Sequence, residues 1–145
     1  MSSMGKFAER LQQINETLEK RAVAALEQAK QRQREEEMRL RQLTADTHVA
    51  ALQLTEQGTG ADWTSMHQYL EALRGKQASH RQQVAVLTDA VEQHRLEVLS
   101  VHQQALKWAR AVEQDRTRAA QERAALEAKQ VDDLVSTRWQ RREES

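Results

Sequence analysis

From residue 70 to residue 129 one set of positions recurs at alternating intervals of three and four. It reads Leu70, Leu73, Gln77, His80, Val84, Leu87, Val91, His94, Val98, Val101, Ala105, Trp108, Val112, Asp115, Ala119, Glu122, Leu126 and Lys129. Up to Val112 most of these are apolar, which makes an a/d seam sustained over about six heptads. From Asp115 onward polar and apolar residues alternate along the seam, so the last stretch is predicted to pack weakly. A lone helix in water has nothing to cover such a seam, so the pattern demands a partner helix.

The first part of the chain supplies one. Met4, Phe7, Leu11, Ile14, Leu18, Ala22, Ala25 and Ala29 form a stripe, and Leu40, Leu43, Ala50 and Leu54 resume it. Between them the run Gln31-Arg32-Gln33-Arg34-Glu35-Glu36-Glu37 reads as a solvated face or a locally loose seam. The clear breaker lies between the two patterns, at Gly58-Thr59-Gly60, and Asp62 is placed to cap a helix starting at Trp63. Gly75 sits inside the second pattern, where it costs about 1 kcal/mol relative to Ala.

The expected fold class is therefore all-α, with two long helices in an antiparallel coiled-coil hairpin and helix two longer than helix one. The expected bounds are one domain over 1–145, with helix one about 4–57, a turn about 58–62, helix two about 63–138 and a short basic and acidic tail. With the turn at the glycines, Met4 is expected near Asp115, and the residues beyond have no intramolecular partner. At 1.5 Å per residue, helix two would extend on the order of 110 Å.

Composition sharpens this picture. About half of the residues are Ala, Glu, Lys, Leu or Arg, the signature of a long helix or coiled coil. Aromatics make up 3% and there are 4 glycines, too few for an enzyme-like core with active-site loops. The 22 basic and 22 acidic residues cancel, which argues against a nucleic-acid partner. The chain has no cysteine, so disulfides, Cys-ligated metals and thiol nucleophiles are excluded. The longest apolar run is Ala22 to Leu26, far short of a span, and the N-terminus lacks the apolar region of a secretory signal. The expectation is a soluble, intracellular interaction protein that does not insert in a membrane.

Candidate chemistry is sparse. The histidines His48, His67, His80, His94 and His102 form no zinc-hydrolase pair, and no phosphate loop or nucleophile elbow is present. No catalytic residue, cofactor or metal is expected. His80 and His94 fall on the seam, where a polar side chain specifies register or else contacts a partner. Trp108 also lies on the seam and reads as packing. Trp63 opens helix two, and Trp139 lies in Arg138-Trp139-Gln140-Arg141-Arg142, either a partner contact or a tail.

The segment Trp63-x5-Tyr69-Leu70-x2-Leu73-x6-His80-Arg81, with Trp108 and Lys129-Gln130-Val131-Asp132-Asp133-Leu134 further on, resembles the FliJ family of bacterial flagellar export proteins. Total length and turn position agree with it. The resemblance implies a cytoplasmic coiled-coil stalk, peripheral at the inner-membrane face of the flagellar basal body. Such a stalk enters and promotes assembly of the hexameric export ATPase FliI, links it to the export gate protein FlhA, and handles export chaperones, with FliH a further partner. It also implies a gate-binding stripe at Tyr69, Leu73, Lys76 and His80, with Lys76 standing where the family usually has a small residue. Positions 69, 73, 76 and 80 share one helical face. Leu73 and His80 also belong to the seam, so either the seam loosens near the turn, or these two residues are half-buried and do both jobs. Two alternatives are the equivalent stalk of a virulence-type secretion system and a coiled-coil spacer whose one property is length. The spacer predicts no partner-specific effect of surface substitutions.

Overall fold

The computed structural model describes residues 3–57 and 60–144. They form two helices, α1 (Ser3–Gln57) and α2 (Ala61–Glu144), and no strand occurs among the described residues. Of the predicted turn, Gly58 and Thr59 lie outside the described residues. Gly60 has φ +98°, and its carbonyl accepts a hydrogen bond from the Thr64 N–H at 3.3 Å. The first helical bond of α2 therefore begins at Gly60. Asp62, expected as the cap, stands instead inside the first turn, where an acidic residue suits the positive end of the helix dipole.

At its other end α2 takes in residues 139–144, where the sequence reading placed a tail. No glycine or proline after Gly75 interrupts the helix. Arg141 and Arg142 in the last turn suit the negative end of its dipole.

The chain divides into two compact units, each pairing part of α1 with part of α2. The hairpin unit spans Lys20–Leu99. Its core cluster is Ala50, Leu70 and Leu73, with Leu43, Ala51 and Leu54 packed against it. Burying a leucine side chain contributes about 1.5–3 kcal/mol, so Leu70 and Leu73 are its main stabilising contacts. Polar rungs continue the seam. Gln77, buried, donates from Nε2 to Thr44 Oγ1 at 3.0 Å, and Gln33 Nε2 donates to Thr88 Oγ1 at 3.0 Å. As numbers fall along α1 through Thr44, Glu36 and Gln33, their partners on α2 rise through Gln77, His80 and Thr88, so the pairing is antiparallel.

Glu36 corrects the reading of the charged run. Residues 31–35 are exposed or half-buried, but Glu36 is 4% exposed. It sits one heptad after the buried Ala29 and one before Leu43, so helical geometry carries it inward regardless of its charge.

The terminal unit comprises Met1–Glu19 and Ser100–Ser145, described over 3–19 and 100–144. Ala105 and Val112 of α2 are buried, and Val101, Trp108, Asp115 and Ala119 are half-buried, along the expected seam. On α1 the expected stripe holds at Leu11, which is half-buried, but its other positions before residue 19 lie on the flank. Met4, Phe7, Ile14 and Leu18 are exposed, while Gly5 and Ala8 are buried and Gln12, Asn15 and Glu19 are half-buried.

Small residues at the contact let α1 approach the bulky Trp108 side of α2. Phe7 then meets the Trp108 ring from the flank, edge-on at 6.1 Å and 89°. A shallow groove of about 270 Å³ results, lined by Met4, Phe7, Trp108 and Asp115 among others. The Glu19 carboxylate lies 2.5 Å from His102 Nδ1, and Glu9 lies 3.9 Å from Arg116. Residues 120–143 of α2 are exposed throughout, including Leu126, Val131, Leu134 and Trp139.

Candidate partner-binding face

The four residues of the implied gate-binding stripe all lie on α2 of the hairpin unit, and the structure gives them different environments. Tyr69 is 54% exposed and Lys76 is exposed. Leu73 is 6% exposed and belongs to the core cluster with Leu70 and Ala50. His80 is between these extremes, with 31% of its side chain exposed. Its Nδ1 is hydrogen-bonded to Glu36 Oε1 across the helix pair. The face is thus a shallow shelf, with two open side chains, a buried leucine and a half-buried imidazole.

Sequence reasoning missed Glu36. The heptad position was a usable signal, but the surrounding charge hid it. Its second carboxylate oxygen, Oε2, accepts a hydrogen bond from Arg39 Nη1 at 3.1 Å. The hydrogen bond from His80 holds the Glu36 carboxyl below its ordinary value; burial works against this, and Arg39 adds to it. A buried carboxylate left unpaired would be strongly destabilising, and here both oxygens have partners.

Gly75 stands beside Lys76 on the exposed side of α2, and a Cβ added there would meet nothing within 4 Å. Packing within the chain therefore does not require a glycine at this point. Trp63 stacks on His67 at 5.2 Å and 4°, one turn along α2. His94 points its Nδ1 toward Glu97 at 3.8 Å on its own helix. No cluster of three or more metal-ligating residues occurs among the described residues.

The family model for the flagellar FliJ protein matches residues 8–144. The chain belongs to the FliJ family. No curated protein matches it, and no solved structure does.

The FliJ family is a non-catalytic component of the flagellar export machinery. Its match takes in both helices, the shelf at 69–80, and the exposed stretch 120–143. Among the described residues no helix is long and apolar enough to cross a membrane. Side-chain pairs such as Gln77–Thr44 cross from α1 to α2, and polar seam pairs of this kind favour one register among those that apolar spacing alone would permit.

Proposed function

We propose that this FliJ-family chain is the central stalk of a flagellar export ATPase. It binds the FliI hexamer, promotes its assembly, and couples it to the export gate protein FlhA. It carries out no chemistry of its own, and it also handles export chaperones, with FliH as a neighbour. It works in the cytoplasm at the inner-membrane face of the basal body. The family match over residues 8–144 is the observation that carries this reading.

The gate contact is assigned to Tyr69, Leu73, Lys76 and His80. Tyr69 and Lys76 supply open surface, His80 supplies a polar edge, and Leu73 anchors the shelf from beneath. An exposed tyrosine with no requirement in the fold suits a protein contact, since aromatic anchors dominate interface energetics.

The test is the affinity of the cytoplasmic domain of FlhA for the chain carrying Tyr69→Ala or His80→Ala, with helicity followed by circular dichroism. The reading expects weaker binding at unchanged helicity. Unchanged binding in both variants withdraws the gate assignment, and the spacer reading then gains.

A further inference from the structure

Among the described residues Glu36 is the one buried charged side chain, and its carboxylate meets the half-buried member of the candidate face. A carboxylate at a seam position costs free energy that an alanine or leucine would not. Register alone does not explain it, because the neutral pairs Gln77–Thr44 and Gln33–Thr88 already tie α1 to α2 in the same unit. A carboxylate against Nδ1 does something that these amides do not. It takes the Nδ1–H, fixes the tautomer and orientation of the ring, and makes Nε2 of the neutral imidazole a hydrogen-bond acceptor. The Arg39 guanidinium holds the other carboxylate oxygen, so Glu36 cannot easily turn away. The ring it orients is 31% exposed, on the same helical face as the exposed Lys76.

We propose that Glu36 is a positioning residue for partner binding: buried in α1, it holds His80 of α2 so that Nε2 is offered as an acceptor to an N–H or O–H donor on the partner protein. The proposal rests on the reading of 69–80 as the gate-binding face. It assigns a function to a residue of the opposite helix, which reaches the partner only through His80.

The experiment uses the full chain at neutral pH with two readouts. The first is the affinity for the FlhA cytoplasmic domain. The second is the His80 tautomer, read from the imidazole nitrogens by NMR. Glu36→Ala removes the acceptor, whereas Glu36→Gln keeps an oxygen for the Nδ1–H and serves as the conservative rescue. In wild type and in Glu36→Gln the His80 ring is expected as the Nδ1–H form, with affinities within about twofold of each other. In Glu36→Ala the ring is expected to move to the Nε2–H form, and affinity to fall about three- to tenfold, the worth of one oriented hydrogen bond. Adding Glu36→Ala to His80→Ala is expected to cost nothing further.

A weakened His80→Ala beside an unchanged Glu36→Ala overturns the positioning role and leaves the face intact. A further loss when Glu36→Ala is added to His80→Ala also overturns it, since Glu36 then acts otherwise than through the ring. An unchanged His80→Ala beside a weakened Tyr69→Ala overturns the proposal and leaves the face, and unchanged binding in both overturns the face reading with it. Should Glu36→Ala fail to fold, Glu36→Gln decides the matter: a lost Nδ1–H form with undiminished affinity overturns the proposal.

Discussion

His80 on α2 is hydrogen-bonded through Nδ1 to the buried carboxylate of Glu36 on α1, 44 positions earlier in the chain. The pair joins a half-buried residue of the candidate partner face to the helix that does not carry that face. It also makes the stability of the hairpin unit depend on pH in a defined direction.

The Glu36 carboxyl is held below 4.5, first by His80, with burial opposing and Arg39 assisting. Between the folded value and 4.5 the unfolded chain binds more protons than the folded chain, so stability rises with pH across that window. The contribution is fully present above about pH 4.5 and is lost as pH falls through the folded value. The groups bonded to the carboxylate are His80 and Arg39. Thermal unfolding of Glu36→Gln should therefore be less sensitive to acid than that of wild type as pH falls below about 4.5. Parallel curves would show that the carboxylate gains nothing from its partners.

Leu73 and Tyr69 should separate support from surface. Leu73→Ala is expected to destabilise by about 2–5 kcal/mol, because it opens a cavity beside Leu70 and Ala50. Tyr69, 54% exposed, should change stability by no more than about 0.5 kcal/mol on truncation to Ala. Urea unfolding of the two variants measures both. A small loss at Leu73 would mean that the shelf is open and the leucine is free to contact a partner directly.

The α2 seam was legible because every position of its three-and-four spacing from Leu70 to Val112 is buried or half-buried, the polar Gln77, His80 and His94 included. The sequence misled on α1 for a physical reason. Near the N-terminus most of the residues removed from solvent are small or polar, Ala8, Gln12, Asn15 and Glu19 beside Leu11, while the large apolar Phe7, Ile14 and Leu18 are exposed one step round the helix. A hydrophobic stripe read from residue size follows the flank and not the seam. The heptad position of Glu36 marked it for burial, but the charged run around it masked that signal, and its partner His80 is far away in sequence. Of the candidate face, the residues were legible from spacing and family pattern, but the burial of Leu73 and the coupling of His80 to α1 needed three dimensions.

Gly75 offers a test of close approach. It is in mid-helix with open space where a Cβ would go. Gly75→Ala should stabilise α2 by about 1 kcal/mol through helix propensity. If the gate protein seats against this stretch of backbone, the same substitution weakens binding to the FlhA cytoplasmic domain. A stabilised variant with full affinity would place the contact elsewhere on the shelf.

Gly60 should behave in the opposite way. Its φ of +98° is one that side-chain-bearing residues rarely adopt, and nothing lies within 4 Å of an added Cβ. Gly60→Ala is expected to cost about 1–2 kcal/mol from backbone strain alone. Equilibrium unfolding in urea reads the loss. A neutral substitution would mean that the entry to α2 adapts without strain.

The stalk reading as a whole is tested most directly on the export ATPase. The hydrolysis rate of FliI is measured with and without this chain, beside the size of the FliI assembly by light scattering. The account predicts a higher rate together with conversion of FliI from monomer to ring. An unchanged rate and an unchanged assembly, with the chain helical and soluble in the same sample, would contradict it and remove the ATPase from its partners.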